Sequence, residues 1–379
     1  MMNPETNVEL PDPFRFENGK QVHTIAEWQH RRRELRDLIV EIEYGGLPPA
    51  PSATRCEVLH TTTVKNLNEA RFVSCRVVTG PDRPFSFLLH LLVPPGSGPF
   101  PVVLNGDACW RYVTDEVAAE VLRRGIILAQ FNRVEIVPDV YRSDRTSGLY
   151  QVYPETCYGA LAAWAWGYHR CVDVLIGLNF VDASRIAVVG HSRGGKTVLL
   201  AGATDERIAL TCANNSGSGG AGCYRWQGPK SETLADTIRM IPYWFGPRLK
   251  EFVNRETELP FDQHCLKSLI APRALLTTEA LGDLWANPTG TWQTHLAAKE
   301  IYRFLGEEER IGIWYRDGDH NHGLADWRVF LDYLEWQLCG RVPQCRFDRN
   351  PYPDMPRAFS WSAPGKENGK EGETDTGDV

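Results

Sequence analysis

The chain has 379 residues, 42% of them hydrophobic and 12 of them Trp, enough apolar material for a large buried core in one or two domains. Its formal charge of −7 excludes nucleic acid as a partner, since neutralising phosphates needs a clustered basic face that is missing here. No run approaches the roughly 20 apolar residues of a membrane span, and Met1 to Lys20 has no apolar core of the signal-peptide kind.

The first 53 residues open in extended, Pro-containing sequence and continue into an amphipathic helix around Ala26 to Glu43, read as an extension packed on the main body. Arg31-Arg-Arg33 within it reads as a solvated helix face. Two runs, Phe72 to Val78 and Phe85 to Val93, alternate or are continuously apolar and predict an antiparallel pair at a sheet edge. Pro101 to Leu104, Gly125 to Phe131 and Ile186 to Val189 alternate with helix-length segments. That pattern predicts an α/β fold with a mainly parallel central sheet flanked by helices. Ala162-Ala-Trp-Ala-Trp-Gly167, apolar nearly all round, reads as a buried helix. Ten cysteines without a C-x-x-C spacing read mostly as buried thiols.

Gly190-His-Ser-Arg-Gly-Gly-Lys-Thr197 fits two motifs at once. As G-x-S-x-G it is a nucleophile elbow that lifts the Ser192 hydroxyl into solvent on a sharp strand-to-helix turn. As G-x-x-x-x-G-K-T it is a phosphate-cradling P-loop. Both need a strand before and a helix after, and Arg185 to Val189 and Lys196 to Ala203 supply them. Downstream sequence favours the elbow. The next strand, Ile208 to Ala213, runs into Asn214-Asn215-Ser216 without the carboxylate that a P-loop enzyme needs to hold magnesium.

A hydrolase of this kind needs an acid after a later strand and a histidine after the last. Arg273 to Thr278 reads as such a strand, and the segment Glu279 to Asp283 follows it; Asp283 is the first candidate acid and Glu279 the alternative. Ile311 to Arg316 reads as the final strand, leading to Asp317-Gly-Asp-His-Asn-His322; His320 is the first candidate base and His322 the alternative. The two histidines with Asp317 and Asp319 also invite a metal reading, but the spacing on a polar loop is weak, and no metal or other cofactor is expected. Arg193 supplies the oxyanion N–H at the start of the helix, and Asn105-Gly-Asp107 is either a second donor or simply a turn.

These elements divide the chain into an extension (1–53), an α/β-hydrolase catalytic domain (54–363) and a disordered tail (364–379). A cap-like insertion, about 216–262, follows the sixth predicted strand. The expected chemistry is acyl transfer from a small-molecule or oligosaccharide ester through Ser192 to water, by a monomer with no nucleic-acid or membrane partner. On sequence alone the compartment is cytoplasmic, or secreted or periplasmic if the N-terminus is trimmed. Acetyl-sugar or aryl ester hydrolysis on the same fold, P-loop nucleotide binding and a silent binding module are the rival readings.

Larger blocks then match a known family. Leu10-Pro-Asp-Pro13, Ala163-Trp-Ala-Trp-Gly167, the elbow with its Arg193 and Lys196, Asn215 to Ala221, Pro242-Tyr-Trp-Phe245, Leu259 to His264, Asp283 to Pro288 and Gly318-Asp-His320 together resemble the glucuronoyl esterases of carbohydrate esterase family fifteen, especially bacterial ones. The resemblance implies hydrolysis of esters between 4-O-methyl-glucuronic acid on xylan and lignin alcohols. It implies Ser192 as nucleophile, the Arg193 side chain as oxyanion stabiliser, Lys196 as ligand of sugar hydroxyls and Trp285 as glucuronate platform. Arg225 is a further candidate ligand for the uronate. Many family members carry a catalytic Glu where this chain has Asn215, which assigns the acid to Asp283. The disulfide flanking the triad in fungal members is absent, since His191 and Asn321 or Gly323 stand in its place.

Overall fold

The computed structural model describes residues 9–365 except 111–112 and 142–144, so the expected tail lies, from residue 366 on, outside the described residues. The strands are β1 (Thr54–Val64), β2 (Ala70–Thr79), β3 (Phe85–Val93), β4 (Phe100–Asn105), β5 (Ile127–Phe131), β6 (Val181–His191), β7 (Leu210–Asn214), β8 (Ala274–Ala280) and β9 (Ile311–Arg316). They form one sheet in the order β1-β2-β3-β5-β4-β6-β7-β8-β9. β5 through β9 pair in parallel around β4 and β6, while β1, β2 and β3 run antiparallel at one edge.

The sequence reading had missed β1. Its residues are mostly exposed, so it carries no apolar face, and its pairing with β2 holds it at the sheet edge. With β1 included, the insertion follows the seventh strand, not the sixth. The central strands are continuously buried, as a parallel sheet covered on both faces requires.

Helix α1 (Ile25–Ile42) starts at a capping box between Thr24 and Glu27. The other helices are α2 (Asp115–Arg123), α3 (Leu149–Val152), α4 (Ala160–Leu175), α5 (Arg193–Thr204), α6 (Leu234–Met240), α7 (Gln263–Ser268), α8 (Pro288–Leu305) and α9 (Leu324–Cys339). α4 is buried on nearly every side, and α8 runs from an Asn287 cap with Pro288 at its first turn to Gly306 at its end. No helix among the described residues is long and apolar enough to cross a membrane.

In the basic cluster on α1 only Arg33 is exposed, and the other two are not part of a solvated face. Arg31 is buried and donates to the Pro13 carbonyl at 3.4 Å and to Glu34, while Arg32 donates to the Leu269 carbonyl at 2.6 Å. Arg31 thus ties the helix to the chain before it, and Arg32 ties the N-terminal segment to the body, through carbonyls that no sequence pattern marks. All ten cysteines are free thiols, with Cys75, Cys171, Cys212, Cys223 and Cys265 buried.

Candidate active site

A single residue, Ser192, separates β6 from α5. Its backbone sits at φ 56°, ψ −121°, a conformation that side chains rarely adopt and that the surroundings must hold in place. Close packing explains the glycines: a Cβ on Gly190 would meet the Gly194 carbonyl, and one on Gly194 would meet the Asp107 carboxylate. The Ser192 N–H donates to the Asn214 carbonyl at 2.9 Å, and the His191 N–H to Asp107 Oδ2 at 2.9 Å. Arg133, fully buried against the Trp164 ring, pairs with Asp107 from the other side. A one-residue turn leaves no loop to wrap a phosphate, and Lys196 points to the Ser218 carbonyl and to Glu232. The nucleotide reading therefore has no cradle.

The loop after β4 does not provide a second oxyanion donor from Gly106 or Asp107. The Gly106 N–H donates to Tyr168 Oη at 2.7 Å and the Asp107 N–H to Asn105 Oδ1 at 3.0 Å, so both are spent on the turn itself. Arg193 opens α5, where helix N–H groups lack intrahelical partners. Its guanidinium is held by Asp139 at 2.7 Å and lies 4.7 Å from the Trp244 ring and 5.1 Å from the Trp110 ring.

Asp283 and His320 meet across the loops that follow β8 and β9. His320 Nδ1 is 2.5 Å from Asp283 Oδ2, and the same oxygen accepts from Asn215 Nδ2 at 2.7 Å. Burial pushes the Asp283 carboxyl up, but the hydrogen bond and charge of His320 and the bond from Asn215 outweigh it and hold it below the usual carboxylate range. The His320 ring lies 4.5 Å from that of His191, the residue before Ser192, which brings the imidazole to the elbow.

The alternatives fall elsewhere. Glu279 is fully buried in β8 and accepts from Thr291 Oγ1 at 3.1 Å; burial first, then the charge of Asp283, pushes its carboxyl up to about 8. His322 points into the core and stacks on Trp327 at 5.3 Å and on His191 at 5.6 Å, and burial holds it well below the usual imidazole range. With His320 turned to Asp283 and His322 inward, the loop's histidines do not converge on Asp317 and Asp319. No group of three or more His, Cys, Asp or Glu suited to a metal occurs among the described residues.

Of the candidate substrate ligands, two are brought to the elbow and one is not. Lys196 is buried one helical turn beyond Ser192 and paired with Glu232 at 3.3 Å. Trp285 is 45% exposed just beyond Asp283, and its carbonyl accepts the Glu232 N–H at 2.9 Å. Arg225 is a correction. Its side chain is 3% exposed and is consumed by Asp262 and by the carbonyls of Thr257, Leu259 and Phe261, so it staples the insertion instead of facing a ligand. Arg225→Ala is expected to lower stability by ~3 kcal/mol, because it leaves the buried Asp262 without its cation. KM for a good ester substrate should stay within about twofold. Thermal melting and initial rates together check this; a large rise in KM without loss of stability would return Arg225 to the site.

Sequence reasoning missed Asp139 and Glu232. No motif marks either one, and they matter only because the folded chain sets each against a cation of the elbow helix.

A mainly parallel sheet with its elbow after β6, an acid loop after β8 and a histidine loop after the last strand defines the chain as an α/β-hydrolase. The family model described as fungal glucuronyl esterase matches residues 77–306. A 4-O-methyl-glucuronoyl methylesterase from Podospora anserina is 33% identical over 325 residues, covering 83% of this chain and 64% of that protein. The chain therefore spans a little under two thirds of that relative's length. The chain belongs to the glucuronoyl esterase family. Among solved structures, a carbohydrate esterase family fifteen glucuronoyl esterase from Caldicellulosiruptor kristjansonii superposes with a TM-score of 0.82 at 31% identity, covering 94% of this chain and 98% of that one. A glucuronoyl esterase from Sporotrichum thermophile in complex with methyl 4-O-methyl-β-D-glucopyranuronate gives 0.75 at 27% identity, covering 89% and 90%.

Proposed function

We propose that this chain is a serine esterase of uronic acids, acting on 4-O-methyl-glucuronoyl esters of the kind that link xylan to lignin alcohols. The observation that carries the reading is the Asp283–His320 pair at an elbow whose helix presents Lys196, with Trp285 exposed beside it. The complex of the Sporotrichum thermophile relative with a methyl glucuronate ester supports the substrate class.

In this mechanism His320 takes the Ser192 proton as Oγ attacks the ester carbonyl, and Asp283 fixes the tautomer that leaves Nε2 free to do so. Negative charge develops on the carbonyl oxygen against the Arg193 N–H and guanidinium. His320 then gives its proton to the leaving alcohol, and a water molecule repeats the sequence on the acyl-enzyme. Lys196 and Glu232 offer a donor and an acceptor to sugar hydroxyls, and the Trp285 face suits the apolar side of a pyranose ring.

The rival is an acetyl-sugar or aryl esterase. It would find no use for Lys196 and Glu232 on the acyl side of the ester, because an acetyl group has no hydroxyl there to bond. The expected result is a kcat/KM for methyl or benzyl glucuronate at least about 100-fold above that for acetylated xylan or a nitrophenyl acetate. Preference for the acetyl esters would overturn the uronate reading.

A further inference from the structure

Among the described residues, each of the two cations flanking the nucleophile is matched by its own carboxylate. Asp139 is the less expected of the pair. Its side chain is 7% exposed and accepts from Arg193 Nη1 at 2.7 Å, Tyr243 Oη at 2.9 Å and Trp244 Nε1 at 3.0 Å. Three donors from two separate parts of the chain converge on it, so it is part of the built site and not a loose surface pair. Glu232, 8% exposed, meets Lys196 on the other side of the elbow. The remaining charges nearby are also spoken for: Asp283 by His320, Asp107 by Arg133, and Asp326 by Arg316 at 2.6 Å.

We propose that Asp139 and Glu232 make the site select the neutral ester over the free uronate, so that the product anion is expelled once it forms. The inference rests on the esterase reading above. In each transition state the new oxyanion is accompanied by the proton that His320 has just taken, so the reacting centre is an ion pair with no net charge. In the last step water adds its oxygen to the acyl carbon and its proton to His320; the carbon–Oγ bond then breaks and the proton passes to Ser192 Oγ. The released acid loses its remaining proton to solvent. The product carboxylate now faces a neutral His320 backed by an ionised Asp283, and two cations already neutralised. Unpaired Arg and Lys would do the opposite and clasp a carboxylate, which a guanidinium fits in a two-pronged geometry. Pairing them keeps their hydrogen-bond donors while removing the attraction for the product.

Calorimetric titration of a Ser192→Ala protein, which cannot turn the ester over, tests this with methyl glucuronate and free glucuronate at neutral pH. The ester is expected to bind at least tenfold more tightly than the acid. Adding Asp139→Asn, which keeps the shape and an acceptor for Tyr243 and Trp244, should narrow that gap at least fivefold through tighter binding of the acid. Glu232→Gln provides an independent second arm should the Asn variant melt early. Equal affinity for acid and ester, or a gap unchanged in the folded variants, overturns the proposal while leaving the esterase reading standing. Failure of both ligands to bind sinks both.

Discussion

Ser192→Ala is expected to lower kcat/KM on methyl glucuronate by about 10⁵-fold or more while the protein stays folded, because removal of the nucleophile leaves only binding and oxyanion stabilisation. The fold should survive because the hydroxyl supports none of the elbow's anchoring. That is done by the Ser192 N–H on Asn214, the His191 N–H on Asp107 and the Arg133–Asp107 pair beneath. Ser192→Gly separates the two roles more sharply. At φ 56° a side chain is strained, and glycine relieves the strain, so this variant should be as inactive as the Ala form yet more stable by ~1 kcal/mol. Initial rates with a thermal melt of both variants decide the matter. Turnover above about a hundredth of the parent rate would remove Ser192 from the mechanism.

Asp283→Asn is expected to reduce kcat by about 10³- to 10⁴-fold with little change in KM. Oδ2 of Asp283 accepts both from His320 and from Asn215, and an amide at this position can satisfy both only through its single oxygen. If the amide turns its nitrogen toward His320, the imidazole must present a lone pair there and its proton moves to Nε2, the wrong side for a base. Even in the better orientation the charge that steadies the imidazolium is gone. Glu279 should not rescue the variant, since its carboxyl is fully buried and pushed up to about 8, first by burial and then by Asp283 itself. Glu279→Gln should accordingly change kcat less than about tenfold, so comparing the two amide variants by steady-state kinetics assigns the acid. A larger effect at Glu279 than at Asp283 reverses the assignment.

Much of the fold was legible because the central strands are buried on both faces and read as plain apolar runs. β9 matches its predicted span, and β6 and α5 flank the elbow as expected. The edge strand β1 was not legible, because pairing with β2 and not burial makes it a strand. In the same way Arg31 and Arg225 looked like free cations, yet Arg31 is spent on the Pro13 carbonyl and on Glu34 of its own helix, and Arg225 on carbonyls and a carboxylate more than 30 residues away.

For the site the division follows the reach of each interaction. The chain by itself determined the elbow and the order of serine, acid and histidine, since these depend on a local turn and on the succession of strands. It left open Asp283 against Glu279 and His320 against His322, because neighbours in sequence differ only in which way the backbone turns them. Tertiary structure sets these candidates apart, burying Glu279 and His322 and placing Asp283 against His320 and Asn215, and the proposed assignment rests on that difference. Tertiary structure alone brought Asp139 to Arg193 and Glu232 to Lys196, because an ion pair depends on distance in space, and partners 54 and 36 positions apart in the chain carry no sign of it.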